Sequence, residues 1–439
     1  MSNSSEPKRP LPSADGQVGL KILRRLAAEG SPLPALEMMH AHVGNLFQIN
    51  APNFRPAVMV GPELNRRLLV TERENYFWRT ENDPVTKLLR TGVLVVDGPT
   101  HDWVRSAMEP ALTRKPTLAH ITAMIRCTDQ VIDGWGEGST HDMLVEMRKV
   151  ALLILIGTLF GSDFAPDLER MWQPILKSID YISPGLWVVL PQAPRFGFEQ
   201  ALGELDDYLY GLIDARRQLS DPPDDLLTRL VQTPGLSGGM IRDQLLTMLI
   251  AGHDTSTALF AWLLHLLGEH PDAMQQAVAE VDAALAGQPP AAGHLQQLEY
   301  LDMVIRETLR LYPPIHIGNR RTGCPVHVGE HTIEEGQRVM YSIYLSHRDP
   351  AHWEAPNEFR PERFAAGAPA APAFAYLPFG GGPRNCIGAT FAQIEAKVVL
   401  ARLLQRVTLT PVAGQNVHAH MGATLEPRPG VKTVVRHRL

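Results

Sequence analysis

Only three cysteines, Cys127, Cys324 and Cys386, are scattered over the 439 residues, too few and too far apart for a disulfide framework or a multi-cysteine zinc site. A reducing compartment is therefore expected. Long hydrophobic runs are missing as well: the longest apolar stretch, residues 150–160, falls short of the ~20 residues needed to cross a bilayer and reads as a buried helix. The opening residues, with Lys8-Arg9-Pro10, hold no apolar run, which argues against a secretory leader or a membrane anchor and for a cytoplasmic location. No charge of one sign dominates, since 41 Lys and Arg stand against 47 Asp and Glu for a net −6. No basic field thus draws the chain to nucleic acid or anionic lipid. The glycine-rich run at 380–388 is not a dinucleotide fingerprint, because Asn385 stands where a third glycine would fall, and no phosphate-binding Gly-x-x-x-x-Gly-Lys-Ser/Thr loop occurs.

What is present is the composition of a folded globular protein, 44% hydrophobic and 20% charged. Short strand-like pieces near 45–49 and 57–60 precede a long region, 62–271, in which apolar residues recur at three- and four-residue steps. Within it, residues 237–268 form a helix whose centre, 245–267, is apolar nearly all round, the pattern of a helix at the centre of a large protein, with an interruption expected at 251–256. A further helix over 298–311 ends at Pro313-Pro314, where the lost amide and the ring clash stop it. Strands and hairpins between 320 and 343, an irregular stretch over 349–378, a helix over 389–406 and strand-like pieces in the tail complete the pattern. With no repeat or linker in view, the expectation is a mainly α single large domain, 21–439, with a minor β-sheet region, after a flexible polar start, 1–20.

Cys386 lies between a glycine-rich loop and the first turn of a helix, where unpaired N–H groups and a positive helix end favour a thiolate. Arg384 adds a cation nearby. Asp254 and Thr255 interrupt an otherwise apolar helix, and Thr255 is spaced to bond back to the carbonyl of Ala251, beside Gly252. Glu307 and Arg310, three residues apart, share one helix face. His101 and Arg105 also lie one turn apart.

Phe379, Gly382, Arg384, Cys386 and Gly388 match the Phe-x-x-Gly-x-Arg-x-Cys-x-Gly loop of the cytochrome P450 family, and the chain resembles that family over nearly its whole length. Glu307-x-x-Arg310, Pro361-Glu-Arg-Phe364 and Ala251-Gly252-x-Asp254-Thr255 match its other motifs in the family's order. The resemblance implies a P450-like helical fold and haem b (iron protoporphyrin IX) held by Cys386 as the metal ligand, with Phe379, Gly382, Gly388, Ala251 and Gly252 around the cofactor. An axial thiolate favours O–O cleavage. The same resemblance makes Thr255 and Asp254 the catalytic proton relay, with Gly252 in a locally opened helix. It assigns His101, Arg105, Arg320 and Arg384 to the propionates, and Glu307, Arg310 and Arg363 to a buried support. His253, Cys127 and Cys324 are read as packing.

Substrate-facing positions by resemblance are 88–96, 179–198, Leu249, Ala251, 315–317 and 421–425. Their apolar character points to a hydrophobic small molecule. The implied reaction is a monooxygenation: activation of O2, with hydroxylation or epoxidation of the substrate. No flavin, nicotinamide or iron–sulfur motif is found, so electrons are expected from a separate ferredoxin or flavodoxin and its reductase, docking near Cys386. The alternatives are a haem-thiolate ligand-binding or sensor protein without turnover and a peroxide-dependent enzyme of the same fold. Both fit an intact Asp254-Thr255 pair poorly.

Overall fold

The computed structural model describes residues 9–29, 31–78, 80, 83–185 and 196–438. Its axis is the helix Gly238–Glu269, 32 residues long and buried over most of its circumference. Ser237 starts it, its hydroxyl accepting the Met240 N–H at 3.2 Å and so satisfying an otherwise unpaired donor of the first turn. The helix Met143–Leu159, capped in the same way by Asp142 on the Leu144 N–H, lies along it in one apolar core. Each large apolar side chain taken from water there contributes roughly 1.5–3 kcal/mol.

The helices Glu199–Arg217, Glu299–Leu311 and Ala389–Arg406 pack round this pair. Trp262 ties the axis to the sheet side: it stacks on Tyr312 at 3.7 Å and donates to the Leu425 carbonyl at 2.9 Å. The largest sheet has five strands in the order Leu46–Gln48, Ala57–Met59, Arg338–Ser342, Ile317–Thr322 and Tyr76–Phe77. Ala57 pairs with Val339 in parallel, and Arg320 with Val339 antiparallel. Smaller sheets and hairpins hold the tail, where Lys432–His437 runs between Thr140–Asp142 and Val407–Pro411.

The expected helices and strands recur within a few residues of their sequence bounds. The interruption at 251–256 does not: the central helix is continuous there. Gly252 is explained by packing, because a Cβ at that position would stand 2.3 Å from Leu155 Cδ1. The described part of the polar start has contacts of its own. Arg9 N–H donates to the Glu330 carbonyl, the Pro12 carbonyl accepts from Gln48 N–H at 2.7 Å, and a helix begins at Gly16. Among the described residues no helix is long and apolar enough to cross a membrane.

Candidate active site

Cys386 is carried by a loop that closes on itself. Its N–H donates to the Phe379 carbonyl at 2.8 Å, Asn385 N–H to Gly382 at 3.1 Å and Gly380 N–H to Leu377 at 2.9 Å. Gly382, at φ +70°, presses on the Leu69 carbonyl so closely that a Cβ would stand 2.3 Å from its oxygen, which leaves glycine as the residue for that turn. Phe379 packs its ring on the main core. The helix Ala389–Arg406 follows, and the Gly388 N–H is hydrogen-bonded to the sulfur. Cys386 is nevertheless exposed on its open side. Burial in the surrounding protein raises its thiol above the ordinary range, while the Gly388 N–H and the Arg105 charge pull it down. Burial thus outweighs the helix end, and Arg105, not the sequence-adjacent Arg384, is the cation acting on the sulfur. Cys127 is buried and Cys324 half-buried, away from this loop.

On the central helix, Ala251 is exposed and Gly252 and Thr255 are half-exposed, while Ile250, His253, Asp254 and Ser256 are buried. Thr255 Oγ1 donates to the Ala251 carbonyl at 2.7 Å. Leu249, two residues or about 200° round the helix from Ala251, is only 1% exposed and belongs to the core, not to the open face. Asp254 turns away from Thr255. It is 3% exposed, its Oδ1 accepting from Arg148 Nη2 at 3.0 Å and its Oδ2 from Thr424 Oγ1 at 2.8 Å. Arg148 also reaches Glu426 at 3.3 Å. Burial raises the Asp254 carboxyl, opposed by Arg148 and Thr424. The acid and the alcohol are neighbours in sequence with separate hydrogen-bond partners. His253 is fully buried, its Nδ1 paired with the Leu249 carbonyl, and burial pushes it down to about 3.

The four expected propionate residues fall in one neighbourhood. Arg105, on the helix Gly98–Met108, donates to the Asn385 carbonyl at 3.0 Å and to Asn385 Oδ1 at 3.1 Å, tying that helix to the cysteine loop. Arg384 donates to Asp97 Oδ1 at 2.8 Å. His101 is buried, with Nδ1 at 2.8 Å from Asp102, and burial lowers it, as do the nearby Arg384 and Arg105 charges. Arg320 is 7% exposed, its guanidinium 4.2 Å from the centre of the Trp78 ring and 5.5 Å from that of Tyr341. Burial lowers Arg320 and Arg384, and Arg320 and Arg105 lower Arg384 further, against Asp97. No carboxylate forms an ion pair with Arg320 among the described residues, so a buried cation stands there short of an anion.

These features suit the haem that the resemblance implies. An exposed thiol opens beside Gly388, where a Cβ would meet nothing nearer than Cys386 Sγ at 3.9 Å. A flat group has room at that point, and a cluster of cations is ready for its carboxylates.

Behind the loop, Glu307 and Arg310 are both 0% exposed and paired through two bonds of 2.7 and 2.8 Å. Arg363 Nε and the Arg360 N–H also donate to Glu307 Oε1. Arg310 spends its remaining donors on the carbonyls of His347, Pro356 and Glu358. His347 Nε2 accepts the Leu377 N–H at 2.9 Å, and so carries the network into the segment leading to Cys386. Sequence reasoning missed His347, Asp97, Asn385 and the Arg148, Thr424 and Glu426 surroundings of Asp254. None of these left a signal in local spacing: Arg148 stands in sequence between Glu146 and Lys149, just before the apolar run 150–160.

The substrate-facing expectations divide. Leu88, Leu89, Val93, Val95 and Val96 are buried, Ile315 is 40% exposed and 421–423 are half-buried. Residues 186–190, also read as apolar lining, lie outside the described residues.

Comparison with known proteins agrees with this geometry. The family model for cytochrome P450 matches residues 20–432. Cytochrome P450 139 of Mycobacterium tuberculosis is 31% identical over 396 residues, covering 86% of this chain and 91% of its own. Cyclooctat-9-en-7-ol 5-monooxygenase of Streptomyces melanosporofaciens is 30% identical over 427 residues, covering 94% and 93%. The structure of retinoic acid-bound cyanobacterial CYP120A1 superposes with a TM-score of 0.82 at 25% identity, covering 91% and 93%. With its thiol loop, cation cluster and central helix in this arrangement, the chain belongs to the cytochrome P450 family of haem-dependent monooxygenases.

Proposed function

We propose that this chain binds haem b through Cys386 and places one oxygen atom from O2 on an apolar, largely hydrocarbon molecule, by hydroxylation or epoxidation. The observation that carries the reading is the exposed Cys386 thiol, bonded by the Gly388 N–H and flanked by Arg105, Arg320, Arg384 and His101. Haem bound there supplies the redox chemistry that activates dioxygen. Cys386 would hold the iron as a thiolate, giving up the proton that burial favours, since a coordinating thiol is deprotonated. Arg105, Arg320, Arg384 and His101 hold the two carboxylates. Phe379 and Gly382 shape the wall behind the sulfur, and Gly388 and Ala251 leave room for the flat group. Thr255, on the open face, positions a proton at its Oγ1. Asp254 takes up and releases protons by exchanging Arg148 and Thr424 for water.

Support for the substrate class comes from the apolar stretches 88–96 and 315–317 and from the names of the compared proteins, one a monooxygenase of cyclooctat-9-en-7-ol and one bound to retinoic acid. Electrons come from a separate ferredoxin or flavodoxin and its reductase, docked on the Cys386 side, in the cytoplasm, with residues 21–439 as the catalytic domain. The test is product formation from a panel of terpene alcohols and polyenes, with a surrogate ferredoxin, reductase and NADPH. NADPH-dependent product supports the reading. Binding without product favours a ligand-binding protein, and product with hydrogen peroxide alone favours a peroxide-dependent enzyme.

A further inference from the structure

Residues 88–93, part of the stretch read as facing the substrate, are fastened to the central helix by polar groups. Asp243 Oδ2 accepts the Thr91 N–H at 3.1 Å and its hydroxyl at 2.7 Å. Gln244 accepts the Val93 N–H at 2.7 Å and donates to the Thr91 carbonyl at 2.9 Å. Arg242 lies beneath, donating through Nη1 to Asp243 Oδ1 at 2.9 Å and to the Leu88 carbonyl at 3.4 Å. Its other edge reaches a different element: Nε donates at 2.6 Å to Oδ1 of Asp206 on the helix Glu199–Arg217, and Nη2 bonds the same oxygen. Arg90 Nη2 donates to Asp206 Oδ2 at 3.2 Å. One carboxylate therefore joins that helix to two arginines, one on the central helix and one in the 88–93 segment.

The cluster is asymmetric. The Arg242 and Asp243 side chains are 1% and 5% exposed, whereas those of Asp206 and Arg90 are 21% and 51% exposed. If Asp206 withdraws, Arg242 keeps its counter-charge in Asp243 and its bond to the Leu88 carbonyl, while its Nε and Nη2 donors must be met by water entering from the Asp206 side. Asp206 and Arg90 gain water. The inner half is thus permanent and the outer half releasable.

We propose that Asp206, through Arg242 and Arg90, is a releasable clamp that controls how readily a large molecule passes between the helix Glu199–Arg217 and the 88–93 segment to reach the haem side. This rests on the proposed haem site and substrate side. Asp206 and Arg242 are positioning residues: they touch neither haem nor substrate, and set the access of one to the other.

The experiment uses haem-loaded protein and two iron-binding probes, imidazole as the small one and clotrimazole as the bulky one, followed by stopped-flow absorbance. In Asp206→Asn, clotrimazole association and dissociation should both quicken roughly tenfold, the loss of one charge-assisted bond, while imidazole rates stay within about twofold. Asp206→Glu, which keeps the charge, should retain slow clotrimazole binding. Raising salt from about 0.05 to about 0.5 M should speed clotrimazole binding to the wild type by screening the half-exposed link, and leave Asp206→Asn unchanged. Arg90→Gln, a change at an exposed position, should give an intermediate rate. Unaltered clotrimazole rates in Asp206→Asn, with a normal thiolate-type ferrous–CO spectrum, would overturn the clamp and leave the haem site standing. Equal acceleration of both probes would overturn it too, since the cluster would then shape the haem pocket itself. A wild type without a thiolate-type CO spectrum would refute the haem-site reading and the clamp together.

Discussion

Replacing Glu307 by alanine tests whether the buried pair supports the cysteine loop. Arg310 would lose two charge-assisted bonds, of 2.7 and 2.8 Å, with no water to replace them, because both residues are 0% exposed. Arg363 Nε and the Arg360 N–H would lose an acceptor as well. Stripping one partner from a buried pair costs ~3–5 kcal/mol, a large share of the ~5–15 kcal/mol that holds a typical protein folded. The damage should reach the metal site through Arg310, the His347 carbonyl and the His347 Nε2 bond to Leu377 N–H. A Glu307→Leu, Arg310→Met double variant removes the unpaired charge, but it leaves the carbonyls of His347, Pro356 and Glu358 without their donor. At ~1–3 kcal/mol for each unsatisfied buried group, it should not regain wild-type stability. Urea midpoints, haem per chain and the ferrous–CO spectrum would be compared across the wild type and both variants. A single variant within about 1 kcal/mol of wild type, or full recovery in the double variant, would refute the reasoning, since neither loss should be so small.

Cys386→Ser should abolish the red-shifted thiolate-type CO band, and survival of that band would transfer the iron to Cys127 or Cys324. Thr255→Ala should keep haem and substrate binding but divert NADPH electrons to hydrogen peroxide, with product formation falling ~10²–10⁴-fold, as for loss of a positioned proton-transfer group. Asp254→Asn should slow the whole cycle with less diversion, because Arg148 keeps Glu426 as a partner. Equal product per NADPH in both variants and the wild type would leave these residues a role in shaping the helix only. Glu395, 3% exposed and bonded to Ser256 at 2.7 Å, is pushed by burial up to about 8. Its folded form thus holds a proton that the unfolded chain releases from about pH 4.5 upward, so stability should fall as pH rises through this window by at most ~1.4 kcal/mol per unit and then level off. Glu395→Gln should flatten that slope, measured by urea unfolding from pH 5 to 8; an unchanged slope would mean the carboxyl is ionised when folded.

The helix and strand pattern, the cysteine loop and the Glu307–Arg310 pair were legible in the sequence because each depends on local spacing: apolar steps of three and four, glycine round a turn, two residues on one helix face. Short spacing also brought Ala251 and Thr255 to one side of the central helix. Tertiary structure decided what lies far apart along the chain. Asp254 is held by Arg148 and Thr424, partners 106 and 170 positions away in sequence, which no periodicity could pair. Gly252 owes its small size to Leu155 on a neighbouring helix and not to a break in its own. Arg105 reached the cysteine loop through Asn385, and the thiol's proton affinity was set by burial over the helix end. Local propensity acts within a few residues, whereas desolvation and the pairing of buried charges depend on which surfaces packing brings together.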